Sequence, residues 1–275
     1  IASIVIYVYT NIRIRKMYTW YKEQKELTFK ELISSYKDIV KRTKDLIFHK
    51  IGTLVVYQTD SILISKFDTL WGVGIYSHYM TIYNLLTGLV EQVFMGITAS
   101  IGNLIIEKTE KEVYKIWKEI YVLMLFITAL FGFLFYKLAN PFVAAWVGEE
   151  CVLPLGIVFA ISVNIMFKII KNPIDKFKEA YGIFWDIYAP LVESIINLVF
   201  SIILGIKFGI IGVVIGTIIS NTVITFIWKP YIIFKHVFKE KLIKFFLITA
   251  KYMAIALIRS RNILYFYEYC KIRVL

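Results

Sequence analysis

Residues 187–234 read IYAPLVESIINLVFSIILGIKFGIIGVVIGTIISNTVITFIWKPYIIF. Two apolar runs, Ile187–Ile206 and Ile210–Phe234, are parted only by the short step around Lys207. A helix rises ~1.5 Å per residue, so a run of about 20 apolar residues covers the ~30 Å hydrocarbon core of a bilayer. Neither run alternates polar and apolar residues with the period of two that a membrane barrel strand needs. The stretch is therefore expected to form two membrane-spanning helices joined by a tight turn. Gly205, Gly209, Gly212 and Gly216 bracket that turn, and residues without a side chain allow two helices to approach closely.

The same texture extends outward. Spans are expected near Ile47–Ser65, Gly74–Ile106, Ile116–Leu138 and Val152–Ile170, before the pair just described. A seventh stretch, Leu242–Ile258, is short and carries Lys251 at its middle. Pro173, Pro190 and Pro230 are expected to kink or end helices. Of the 275 residues 59% are apolar, 17% aromatic and only 19% charged, with a mean hydropathy of +0.68. The fold class that follows is an all-α integral membrane protein with about six full spans plus partial spans at its ends. Residues 1–10 form the end of a helix that starts before the chain does, consistent with a fragment. Residues 11–45 form a basic linker, 46–235 the six-helix bundle, and 236–275 a basic segment with the possible seventh span and a tail.

Charge gives the orientation. Lysine and arginine number ten in residues 11–45, four in 107–118, four in 168–186 and five in 229–244, 23 in all. The alternate connections hold one each: Lys66, Lys137 and Lys207. This regular alternation places the basic connections in the cytoplasm by the positive-inside rule. A net charge of +12 spread between spans in this way does not form a nucleic-acid patch. Within the linker, Phe29, Leu32, Ile33, Tyr36, Ile39, Val40, Leu46 and Ile47 recur with helical spacing. Lys30, Lys37, Lys41 and Lys44 lie mostly on the other faces. That pattern predicts an amphipathic helix lying on an anionic inner leaflet.

Two segments carry a family resemblance. YQTDSILISKFDTLWGVGIYSHYMTIYNLL (57–86) resembles the opening of the second half of a polysaccharide flippase of the MATE-like superfamily, with a polar step inside a helix and then Gly–Ile–Tyr. KFKEAYGIFWDIYAPLVESIINLVFSIILGIKFGIIGVVIGTIIS (176–220), followed by WKPYIIFKHVF (228–238), is similar to that family's Gly–aromatic–Asp–Pro–Glu–Asn helix, glycine-rich turn and Trp–Pro exit. One position departs: the family usually carries a basic residue between the aspartate and the proline. Here Ile187, Tyr188 and Ala189 separate Asp186 from Pro190. The resemblance implies a MATE-like helical bundle of which this chain is the C-terminal half. It implies a bacterial cytoplasmic membrane and flipping of a polyprenyl-pyrophosphate-linked oligosaccharide by alternating access, for surface polysaccharide biosynthesis. The implied partners are the lipid-linked oligosaccharide, membrane lipids, an N-terminal half and polysaccharide polymerase machinery.

Ionisable and amide side chains inside spans are costly and tend to face a cavity or a partner. Asp60, with Gln58 beside it, is the clearest case. Glu91 and Gln92 lie midway along the second span, Glu193 and Asn197 one turn apart in the fifth, and Asn221 in the sixth. These seven are the candidates for a substrate or ion cavity, against the plainer reading of hydrogen bonding between helices. For a pyrophosphate, Lys50, Lys168 and Lys171 near the inner ends of spans are the candidate contacts, against ordinary snorkelling anchors. Cys151 and Cys270 have no metal-ligand spacing, and no metal or cofactor is expected. A multidrug exporter or a peptidoglycan-precursor flippase of the same superfamily is the nearest alternative. A membrane polysaccharide polymerase is a more distant one: the sequence has no Asp-x-Asp pair, His-Glu-x-x-His or Gly-x-Ser-x-Gly, so no enzymatic activity is expected.

Overall fold

The computed structural model describes residues 2–18, 35–36, 40, 43, 47, 59–183, 186 and 188–256. Among these, every regular element is helical. The chain divides into two compact units, residues 1–47 and 48–275. In the first, helix α1 (Ala2–Met17) continues past residue 10 into the stretch expected to be linker. The amphipathic helix expected up to Ile47 and most of the expected span Ile47–Ser65 lie outside the described residues.

In the second unit, residues 59–67 form α2. Then follow α3 (Leu70–Glu107), α4 (Glu110–Val147), α5 (Leu155–Ala180), α6 (Ala189–Phe208), α7 (Ile210–His236) and α8 (residues 242–256). Among the described residues, helices α3 to α7 are the five that are long and apolar enough to cross a membrane. The 15 described residues of α8 rise about 23 Å.

The helix ends follow from local chemistry. The Thr69 hydroxyl accepts the Gly72 N–H at 3.0 Å and opens α3. The Glu112 carboxylate accepts both the Thr109 N–H (3.0 Å) and its hydroxyl (2.8 Å), which fixes the start of α4. Helix α4 does not stop near Leu138 as expected but runs through Pro141 to Val147. The side chain of Asn140 explains the continuity. Its Oδ1 accepts from the Tyr79 hydroxyl at 2.6 Å and its Nδ2 donates to the Leu153 carbonyl at 3.0 Å, while the Leu153 N–H donates back to Tyr79 Oη at 2.9 Å. This closed ring of hydrogen bonds fastens α3, α4 and the connection 148–154 together. Pro173 likewise sits inside α5 without ending it. Pro190 falls in the first turn of α6, where a missing N–H costs nothing, whereas Pro230 sits within α7 just after its π-helical turn without ending it.

Helix α5 packs on α3, α4 and α7, and α6 pairs with α7. Gly209, with φ of 62°, makes the turn between α6 and α7, a conformation glycine adopts without penalty. A methyl group on Gly216 would come within 2.5 Å of the Ser201 nitrogen, and one on Gly212 would strike the Leu204 carbonyl. The two backbones are thus in contact. A second core, aromatic, joins α4, α7 and α8: Trp117 stacks on Tyr121 (4.9 Å between centroids) and meets Phe234 edge-on at 5.2 Å. The buried Tyr121 and Thr249 hydroxyls share a hydrogen bond of 2.9 Å. Leu85, Leu123, Phe159, Ile195 and Ile203 remain exposed, as residues facing lipid would. Helix α7 changes winding midway: Thr222–Trp228 is π-helical, and the Lys229 N–H reaches the Ile224 carbonyl five residues back.

Candidate functional site

Asp60 lies on α2 and is 8% exposed. The Thr217 hydroxyl on α7 donates to it, 3.0 Å from Oδ2 and 3.3 Å from Oδ1. In turn, Asn197 Nδ2 on α6 donates to the Thr217 oxygen at 2.9 Å. Thr217 has one hydroxyl proton; spending it on Asp60 requires Asn197 to present its N–H. The consequence is that Asn197 Oδ1 faces the interior with no partner among the described residues, on a side chain that is 0% exposed. One turn along, Ser201 donates to the Val213 carbonyl at 3.1 Å. Carboxylate, hydroxyl, amide oxygen and carbonyl therefore gather where three helices meet. The contact of α6 with α7 at Gly212 and Gly216 brings Asn197 within reach of Thr217. Among the described residues no lysine pairs with Asp60.

The other candidates separate into groups. Asn221 donates to the Thr217 carbonyl at 3.0 Å and to Asn164 Oδ1 at 3.4 Å, while Asn164 Nδ2 donates to the Val214 carbonyl at 3.2 Å. Asn221 thus ties α7 to α5. Glu193 lies one turn from Asn197 on α6, partly exposed, outside the Asp60 chain. Glu91 and Lys168, assigned different roles from sequence, face one another at 2.7 Å across α3 and α5. Gln92 is exposed on α3. Lys171 belongs to a charged group at the end of α5, where Asp175 pairs with Lys229 at 2.9 Å and also feels the charges of Lys171 and Lys178. Lys178 holds Asp186 with both carboxylate oxygens, so a basic residue does meet this aspartate, from another helix. Gln58 and Lys50 lie outside the described residues.

Sequence reasoning missed Thr217, Asn164 and Asp175. A usable signal for Thr217 was its place beside Gly216 in the Gly-x-x-x-Gly step 212–216, because a polar residue there is carried into the closest helix contact.

Helix α3 adds a further feature. Its buried residues, from Gly72 and Tyr76 through Tyr83, Val90 and Phe94 to Ile101, occupy one side at ~100° per residue. Opposite them Ser77, Thr81, Asn84, Gln92 and Asn103 are exposed. Gly88 and Gly96 lie in the same sector, with open space where a side chain would be. Leu85, Met95 and Ala99 are the apolar interruptions along it, and Leu70 and Ile106 close its two ends.

Five helices fit to cross a bilayer, with apolar residues exposed along them, make this a multi-pass, all-helical membrane protein. No family model, no curated protein and no solved structure matches the chain.

Proposed function

We propose that the chain is one half of a bacterial membrane transporter that flips a polyprenyl-pyrophosphate-linked oligosaccharide across the cytoplasmic membrane. The observation that carries this reading is the exposed stripe on α3. Hydrogen-bonding side chains facing hydrocarbon are costly, so a stripe of them along a 38-residue helix belongs against water or a polar solute. Asn84, Gln92 and Asn103 offer amide donors and acceptors without charge, while the Ser77 and Thr81 hydroxyls donate to the Gly74 and Ser77 carbonyls and keep oxygen lone pairs that can accept. That chemistry suits sugar hydroxyls better than the organic cations a multidrug exporter carries. The resemblance of residues 57–86 and 176–238 to polysaccharide flippases supports the same substrate class. In this reading Asp60, Thr217 and Asn197 form the element that takes up a coupling proton or monovalent cation. The second half of the transporter faces the α3 stripe.

The test is transport into proteoliposomes of a fluorescent polyprenyl-pyrophosphate oligosaccharide, with the chain reconstituted alone and with a complementary N-terminal half. The chain alone is expected to be silent, because alternating access needs one bundle to move against another. With the complementary half, flipping is expected and is lost on Asn84→Leu with Gln92→Leu while protein abundance holds. Unchanged flipping by that double variant would remove the stripe from the route.

A further inference from the structure

We infer that the corner between α7 and α8 is a binding site for the phosphate headgroup of an anionic membrane lipid, separate from the transported solute. A cavity of about 660 Å³ opens there, walled by Tyr231, Phe234 and Lys235 from the last turns of α7 and by Lys239, Lys241 and Leu242 from the corner. Its size lies within the range of small-ligand sites. The chain makes the corner through Lys239, whose φ of 53° is the one positive value among described residues other than glycine. Backbone bonds from Phe238 N–H to the Ile233 carbonyl (3.0 Å) and from Glu240 N–H to the Phe234 carbonyl (2.9 Å) hold it. The corner is thus a formed structure whose walls are fixed by the main chain.

The lining has two chemistries. Leu242 and the half-open ring of Tyr231 make an apolar floor, laid over Phe234, which is fully buried in the aromatic core. Lysines make the rim, and their charges are unequally compensated. Lys239 pairs with Glu110 at 2.6 Å, and the remaining acid of the lining, Glu240, is held by Lys244. Lys235 gives one proton to the Tyr231 hydroxyl at 2.6 Å, a neutral acceptor that leaves its charge intact. Among the described residues no carboxylate pairs with Lys241. Two uncompensated ammonium groups therefore stand above an apolar floor. The 27 residues of α7 rise about 40 Å, so its ends lie at opposite faces of a bilayer. The corner is at the end that the lysine distribution assigns to the cytoplasm, where anionic headgroups attract basic side chains. A phosphodiester fits the rim while the glycerol and first methylenes fit the floor. A soluble anion would use only the rim.

The experiment is native mass spectrometry of the whole chain, purified in detergent, offered phosphatidylglycerol and phosphatidylcholine together. One phosphatidylglycerol is expected to be retained in preference. Lys235→Gln with Lys241→Gln is expected to weaken retention by about thirty-fold, from the usual strength of two basic residues at an anionic surface. Lys235→Arg with Lys241→Arg keeps the charge and should keep the lipid. Lys111→Gln with Lys115→Gln removes two exposed cations from the neighbouring first turns of α4, outside the lining, and should also keep it. Unchanged retention in the Lys235/Lys241 glutamine variant would overturn the site. An equal loss in the Lys111/Lys115 variant would overturn it in favour of general surface charge. Displacement of the lipid by excess inorganic phosphate would overturn the lipid assignment in favour of a soluble anion.

Discussion

The Thr217 hydroxyl donates to the Asp60 carboxylate at 3.0 Å, joining helices whose contributing residues stand 157 apart in the chain. It is the direct hydrogen bond that the described structure supplies to this buried acid. Thr217→Val keeps the shape but removes both the donor to Asp60 and the acceptor of Asn197, leaving buried polar groups unmatched, so it should cost about 1–3 kcal/mol. Thr217→Ser keeps the hydroxyl and should cost far less. Thermal unfolding in detergent reads the difference; equal melting of the two variants would dissociate Thr217 from Asp60. Asp60→Ala, measured in a complemented transporter, should abolish flipping while leaving abundance near normal.

Gly216 and Gly88 form a matched pair. Alanine at Gly216 would press on the Ser201 main chain, whereas alanine at Gly88 meets nothing within 4 Å. Gly216→Ala should therefore destabilise by about 1–3 kcal/mol through overpacking. Gly88→Ala should stabilise α3 by roughly 0.5–1 kcal/mol through reduced backbone entropy in the unfolded chain. The same melting assay compares them, and a loss of stability at Gly88 would show that its face is already packed.

The Glu91–Lys168 pair predicts a charge-swap result. Glu91 is partly open to its surroundings, so its contribution is set at about 1 kcal/mol rather than the larger value of a fully buried pair. Glu91→Lys and Lys168→Glu should each lower the melting temperature, and the two together should recover most of the loss. Additive losses in the double variant would mean that the two side chains act independently.

Topology is open to labelling. Single cysteines at Thr69 and Glu149 should react with an impermeant reagent on intact cells, and cysteines at Thr109 and Glu179 should not. Thr69 and Thr109 sit at opposite ends of α3, so they must differ. Reaction at Thr109 would reverse the orientation drawn from the lysine count.

The α6–α7 hairpin was legible in the sequence because two uninterrupted apolar runs and a glycine turn leave few other structures open to it. The outer end of α4 was not. Asn140 and Pro141 read as a loop, and what holds them in a helix is Tyr79, 61 residues away. The candidate site was half legible on the same grounds. Asp60 and Asn197 stand out by composition alone, since amide and carboxylate groups are rare in apolar runs. Thr217 does not stand out, because threonine in a helix can return its hydroxyl to its own backbone, as Thr222 does to Ile218 at 2.8 Å. Only the approach of α2 and α6 gives Thr217 other partners. The pairing of Lys229 with Asp175 is hidden for a similar reason: it depends on how α7 is phased against α5.

That phasing has a source. Bonding to the fifth residue back takes one more residue into each turn than α-helical bonding does. Over Thr222–Trp228 the lower part of α7 is thereby set back by roughly one position. Lys229 comes round to Asp175, and Trp228 is left exposed. The segment works as a vernier between two gauges, with the Asp60 contact read on one scale and the Asp175 pair on the other. Deleting a single residue from Thr222–Trp228 would let the helix rewind to α. Lys229 would then keep its place at Asp175 and the upper contact its register, whereas rewinding without the deletion would carry Trp228 to where Lys229 now stands.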